Sequence, residues 1–361
     1  MLPWTEVVGV SQLCAVNNGY IANNAARVEF TLPATSAVGD VVRIAGKGAG
    51  GWRVSGKETR TYYSQFLRVW IVGGNLNTAR EQLAGCGTQT AALSFGGWTG
   101  AVSAVTEEYD GAAWAAGGNL NTARYRLGGC GTQNAGLSFG GYIAAVSNIT
   151  EEYDGTSWAA AANFLLRYYV AGCGTQTAGL GFGGYDGTPA IQPHTRHYDG
   201  TVWSAGGDLL TARALHAGAG TQVAGLAVSG FNASNLSTSE EYNGVAWAAG
   251  GAVNIARQGL AGCGTQNAGL SFGGYIAANS LVTEEYDGTT WIYGANLNTA
   301  RRYLSGCGTQ DAGLSFGGQG GTNVTEEYIG GIQSSHLNDC AELLCVIADT
   351  SWKILTEQGN Q

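Results

Sequence analysis

Charge is scarce in this chain. Only 12% of its 361 residues are Asp, Glu, Lys or Arg, and 17 basic against 26 acidic side chains leave a net charge of -9. Binding nucleic acid takes clustered Lys and Arg that displace counterions. No basic stripe occurs here, so a nucleic-acid groove is excluded. Long apolar runs are missing too: nowhere do 18 apolar residues follow one another, which argues against a membrane-spanning helix. Residues 1–10 lack a charged segment leading into an apolar run, so the chain is expected to be soluble and made without a secretory signal. Histidine and proline each occur four times, and two of each fall within residues 185–197.

What is abundant is glycine, 60 residues of it, and it falls in a pattern. Six arginines, Arg80, Arg124, Arg167, Arg213, Arg257 and Arg301, mostly close an N-T-A-R or similar run. Each is followed by G-C-G-T-Q, F-G-G, E-E-Y-D-G and a Trp, or by variants of these. A period of 43 to 46 residues marks a repeat array. The unit 117–160 carries nine glycines, which would cost a helix roughly 9 kcal/mol per repeat, so helical arrays are excluded. The remaining segments read as four short strands, 125–133, 136–142, 149–153 and 157–160. Four strands and their turns make one blade of a β-propeller.

The offset of the repeats predicts a closed ring. Trp70, Trp114, Trp158, Trp203, Trp247 and Trp291 are spaced 44, 44, 45, 44 and 44 residues apart, and from Trp114 onward each follows a Tyr by five positions. Trp70 has no such Tyr, and Tyr328 is followed at that interval by Gln333. The strand around Trp70 is therefore expected to pair with the strand of Tyr328, completing a sixth blade from both ends of the array and leaving no free edge there.

With the motifs in hand, F-G-G followed by Tyr and then Trp resembles the kelch family of β-propellers, although the Tyr-to-Trp interval is shorter than is usual for kelch. The resemblance covers residues 68–330 and implies fold rather than activity. Residues 19–54 open G-Y-I-A-N-N-A-A-R-V-E-F-T-L-P and close A-G-K-G-A-G-G-W-R-V. They resemble a small β module of tail fibres and other structural proteins of tailed bacteriophages. Residues 339–360, D-C-A-E-L-L-C-V-I-A-D-T-S-W-K-I-L-T-E-Q-G-N, resemble the closing strands of the same module. The chain is thus read as all-β: a six-bladed kelch-like propeller (68–330) inserted into a discontinuous, β-sandwich-like domain (1–67 with 331–361). Alternation in 28–32, 42–44 and 344–354 predicts strands with one buried face, and two-sided apolarity in 343–347 predicts an interior strand or a subunit interface. The tail-fibre resemblance implies a homotrimer on a virion.

Repetition decides how the polar landmarks are read. Cys86, Cys130, Cys173, Cys263 and Cys307 share a position held by Ala219 in the fourth repeat, so they read as small apolar residues on the innermost strand, neither a disulfide framework nor a metal ring. Paired glutamates recur in five repeats (Glu107 and Glu108, Glu151 and Glu152, Glu240 and Glu241, Glu284 and Glu285, Glu326 and Glu327). Such symmetry suits structural ion pairs with the arginines, or solvated faces, better than a catalytic carboxylate pair. The third repeat departs, with Arg196 and His197 in place of the two glutamates.

Binding is expected where the repeats diverge. The loops between second and third strands, 98–105, 142–149, 185–196, 231–239, 275–282 and 319–323, vary most and share one face. Trp98, Tyr142, Tyr185, Phe231 and Tyr275 begin five of them, and with His194 and Arg196 they are the candidate ligand-binding residues. An aromatic ring there can stack on a sugar, anchor a protein partner or simply pack on the next blade. His194 and His197 have a metal-ligand spacing without a third ligand, and four histidines do not furnish the copper site of kelch-like oxidases, so no metal or cofactor is assigned. The resulting expectation is a non-enzymatic virion protein, a tail-fibre or tail-associated adhesin whose loop face meets a host-surface glycan or protein. The alternatives are an architectural protein touching other virion subunits, and a polysaccharide-degrading enzyme for which no catalytic constellation is present.

Overall fold

The computed structural model describes residues 68–330 apart from Pro189, and in the flanks the backbone of eight strands. The chain divides into two compact units, Met1–Leu67 with Gly331–Gln361, and Arg68–Gly330. In the first, strands Trp4–Val7, Asn18–Ala22 and Val41–Gly46 lie side by side in parallel, and Cys340–Ile347 sits between Val41–Gly46 and Ser351–Gln358 in the same sheet. Ser11–Leu13, Val28–Thr31 and Trp52–Ser55 form a second, parallel sheet. The sandwich-like packing and the buried faces expected of this unit concern side chains outside the described residues.

Residues 68–330 form six four-stranded antiparallel sheets arranged as the blades of a propeller, and every regular element among the described residues is a strand. Blade two shows the plan, with Gly128–Thr132 innermost, then Ala135–Phe139, Thr150–Tyr153 and Trp158–Ala161 at the rim. The first two strands are shorter than the sequence suggests. Arg126 has φ 60°, which a strand does not accept, so the inner strand starts at Gly128 rather than at residue 125. Gly140 (φ 64°) and Gly141 (φ 100°) turn the chain away after Phe139, a conformation that glycine alone adopts freely.

Closure is as the offset predicts. Val69–Val72 is the outer strand of blade six, with Trp70 opposite Tyr328 and Val69 opposite Ile329. The inner strands touch one another around the whole circle, Ser305–Gly308 of blade six against Ala84–Thr88 of blade one. The core lies between blades: Phe95, Leu93 and Cys86 of blade one pack with Trp158 and Tyr153 of blade two, all buried. Glycine on the inner strand serves this packing. A Cβ on Gly129 would come within 2.5 Å of the Phe95 ring, so the glycine admits the neighbouring blade's phenylalanine as well as crowding toward the axis.

Candidate functional site

The repeated polar residues are consumed by the scaffold, and most of them join one blade to another. In the T-Q turns, the Gln133 amide donates to the carbonyls of Ala92 and Tyr109 in blade one (3.1 and 2.7 Å), and the same clip recurs from Gln89, Gln176, Gln222, Gln266 and Gln310. Trp158 Nε1 donates to Thr106 of the preceding blade at 3.0 Å, and Trp70 closes the ring by donating to Thr283. The Tyr153 hydroxyl donates to Glu108 at 2.6 Å, and Tyr109 donates across the closure to Glu327. Burial and then this carboxylate push the Tyr109 phenol up to about 12.

The cysteines do more than fill space. Cys86 Sγ points its weak S–H donor at the Thr132 carbonyl of the next blade (3.4 Å), and Cys307 does so to Thr88 across the closure, while the Ala219 blade has no such link. Burial holds every one of these thiols well above the usual thiol range, so they stay protonated and unreactive.

Within each of five blades the first glutamate of the pair meets that blade's arginine. Arg124 and Glu151 are both buried, and Nη2 lies 3.0 Å from Oε1. Arg124 also reaches the carbonyls of Gly140 and Ile149 and the Ser138 hydroxyl. The carboxylate accepts two consecutive amides, Asn121 N–H at 2.7 Å and Thr122 N–H at 3.3 Å. A buried ion pair is tolerated when most of its remaining donors and acceptors are satisfied, as here, where the buried Arg124 Nε is left without a partner.

With the scaffold accounted for, what stands free is the face bearing the divergent loops. Trp98, Tyr142 and Tyr185 do not act singly. Trp98 lies 5.0 Å from Tyr125, Tyr125 5.7 Å from Tyr142, Tyr142 5.6 Å from Tyr168, and Tyr168 is stacked on Tyr185 at 5.2 Å. These five half-buried rings make a continuous arc over blades one to three. The backbone sets it up: Tyr125 bridges Tyr142 and Tyr168 bridges Tyr185, so the residue after each arginine lies beside the start of the loop. Arg126 sits in the curve of the arc, 4.7 Å from the Tyr125 ring and 4.8 Å from that of Tyr169.

The axis on this face is also built. The residues two places after each arginine donate N–H to one another's carbonyls around a full circle: Arg126 to Gln82, Tyr169 to Arg126, Leu215 to Tyr169, Gly259 to Leu215, Tyr303 to Gly259 and Gln82 to Tyr303. All six have φ between 52° and 61°, which costs the five that are not glycine on the order of 1 kcal/mol each. Their side chains gather at the axis. Tyr169 stacks on Tyr303 from the opposite blade at 5.8 Å, and Gln82 Oε1 accepts from Arg126 Nε and the Tyr169 hydroxyl. Beneath them runs a cavity of about 150 Å3 walled by the glycine-rich inner strands.

The other candidate residues lie outside the arc. Tyr275 carries Arg302 over its ring at 4.3 Å, and Phe231 starts a two-residue strand paired with Ser234–Asn235. His194 Nδ1 is 3.1 Å from Asp208, whereas His197 Nε2 meets the Tyr242 hydroxyl at 2.8 Å. Burial lowers the His197 pKa, so it is neutral and stands in for the second glutamate as partner of the next blade's tyrosine. The two histidines therefore face separate partners, and among the described residues no group of three His, Cys, Asp or Glu side chains is placed to hold a metal.

Tyr125 and Tyr168 of the arc, and Tyr169 and Tyr303 at the axis, are absent from the sequence-based candidates. Their signal is the variation at the two positions following each constant arginine, Glu81, Tyr125, Tyr168, Ala214, Gln258 and Arg302 at the first of them. Compared with known proteins, the chain matches no protein-family model and no curated protein. The kelch likeness thus rests on the blade motif and the propeller alone.

Proposed function

We propose that the protein is a non-enzymatic adhesin of a tailed-phage particle, and that the loop face of its propeller binds a host-surface glycan. The arc of five aromatic rings from Trp98 to Tyr185 carries this reading. Half-buried rings held by backbone bridges offer flat apolar area with little freedom left to lose, and Arg126, Gln82 and the phenol hydroxyls offer hydrogen bonds beside it. The phage context rests on the resemblance of residues 19–54 and 339–360, which also supports a homotrimer. Trp98→Ala with Tyr142→Ala is expected to lower glycan-array binding and host adsorption at least about tenfold while leaving the melting temperature within a few degrees. Unchanged adsorption by this double variant would refute the assignment.

A second reading, contact with other virion subunits, has its own observation. The outer strands of blades one to four follow Trp with Ala or Ser. Blades five and six instead expose Ile292, Tyr293, Ile71 and Val72. Loss of particle assembly, rather than of adsorption, on changing these four residues to Ser would favour it.

A further inference from the structure

In blades one, two, four, five and six the same seat holds a carboxylate: the arginine Nη2 and the two amides lying three and two residues before that arginine. The side chains on those amides vary, Asn77 and Thr78, Leu210 and Thr211, Asn254 and Ile255, yet each pair donates to its glutamate. Arg80 makes four hydrogen bonds there, to Gly96, Val105, Ser94 and Glu107.

Blade three has lost the acceptor, and its chain reaches the arginine one residue sooner, so Leu165 and Leu166, two and one places before Arg167, follow the entry residue there. Its backbone enters the seat as elsewhere, Phe164 N–H donating to the Asn148 carbonyl at 2.8 Å as Leu76 does to Asn323. Arg196 stands where the glutamate does, opposite Gly181, which replaces the serine. Phe164 accounts for that glycine, since its ring would lie 2.9 Å from a Cβ at Gly181. Arg167, 7% exposed, donates to the carbonyl of its neighbour Leu166 at 2.7 Å, its buried Nε has no partner, as is also true of Arg80, Arg124 and Arg301, and Arg196 donates to the Thr195 carbonyl. The amides of Leu165 and Leu166 have no acceptor among the described residues. Asp186 does not fill the gap, because its carboxylate is taken up by Thr188, Ala190 and Gln192 of its own loop. Arg196 is half-buried, whereas Glu151 at the same place in blade two is 1% exposed.

We infer that blade three takes its carboxylate from the ligand, so that Arg167, Arg196 and the amides of Leu165 and Leu166 bind an acidic sugar of the glycan that the aromatic arc engages. The inference rests on the glycan reading and narrows it to a class. Arg196 and Arg167 carry like charges, Asp186 is the anion that offsets them, and because its oxygens are engaged within its own loop a further carboxylate would add the charge-assisted hydrogen bonds that Asp186 does not supply. A sugar acid fits better than an acidic side chain because Tyr168, next in sequence to Arg167, is stacked on Tyr185 at the start of this same loop. The carboxylate lands where a pyranose face also finds a ring.

The test is calorimetric titration of the full chain with a panel of oligosaccharides carrying a uronic or nonulosonic acid, each beside its carboxyl-reduced counterpart. The quantity read is the ratio of the two affinities. The expected ratio for the unaltered protein is about ten or more. Arg196→Glu restores the residue of the other blades, fills the seat from within, and should bring the ratio to about one. Arg196→Gln should lower it several-fold, which keeps the test decisive if the glutamate variant does not fold. A ratio near one for the unaltered protein across the panel overturns the inference, as does an undiminished ratio in a folded Arg196→Glu protein. So does binding of an acidic peptide with no binding of any glycan. Equal binding of acid and reduced forms, lost in the Trp98→Ala and Tyr142→Ala variant, would remove the carboxylate seat and leave the glycan-binding rim standing.

Discussion

Blades two and three share four strands in the same antiparallel order but differ in their buried charge. Blade two holds Arg124 against Glu151 in an ion pair that engages both terminal guanidinium nitrogens, whereas blade three has Arg196 in place of the glutamate and its Arg167 bonds only the carbonyl of Leu166. The contacts between blades survive in both. Gln176 clips blade three to blade two, Trp203 donates to Thr150, Cys173 points at Thr221, and His197 replaces a glutamate without losing the tyrosine of blade four. The ring depends on what joins neighbours, and blade three does without the ion pair inside it.

The sharpest way to break the comparison is to remove one partner from each blade. Glu151→Ala should destabilise the propeller by about 3–5 kcal/mol in denaturant titration, since it strands a buried guanidinium and two amides. Arg167→Ala, which has no carboxylate to strand, should cost no more than about 1 kcal/mol. Equal costs would mean that blade three hides a compensating partner.

A smaller effect should come from the junction of blades three and four, where His216 takes the position of Leu83, Leu127, Leu260 and Leu304. It is 7% exposed, neither ring nitrogen has a hydrogen-bond partner, and burial, with Arg213 adding to it, brings its pKa down to about 3. The unfolded chain binds a proton near pH 6.5 that the folded chain refuses. Stability is therefore lost as pH falls from about 6.5 toward 3, at about 1.4 kcal/mol per pH unit from this group. The gap in melting temperature between His216→Leu and the unaltered protein should widen on acidification through that window. A constant gap would show that His216 takes up its proton in the folded ring.

The smallest effect concerns the thiols. Cys86→Ala should cost less than about 1 kcal/mol, because blade four already has Ala219 at this place, and Ala219→Cys should gain at most a few tenths by adding the missing S–H contact. A large loss in Cys86→Ala would assign the thiol ring a share of closure that the alanine blade contradicts.

Much of this was legible in the residues. That arginines and paired glutamates meet, the divergent loops and the departure of blade three at Arg196 and His197 are visible as repetition or its failure, whereas which glutamate pairs, and in which blade, came from the structure. The Gln clip, the Tyr to Glu bond and the Trp to Thr bond were not, because each joins positions in different repeats that only the radial packing of blades brings within 3.1 Å. The start of the inner strand was misplaced for a local reason, the left-handed residue at the axis, whose type in five of six blades carries no glycine signal, whereas the end of the second strand is marked by Gly140 and Gly141.

The sequence by itself determined the unit, its four strands and the ring, because strand period, turn chemistry and the offset of Trp70 from Tyr328 are properties of the chain read in order. Only the tertiary structure decided that Trp98, Tyr125, Tyr142, Tyr168 and Tyr185 form one arc and that Arg167 turns to the Leu166 carbonyl where the other five arginines hold a glutamate. Both depend on distances between residues of successive blades or opposite strands, which the propeller's curvature sets.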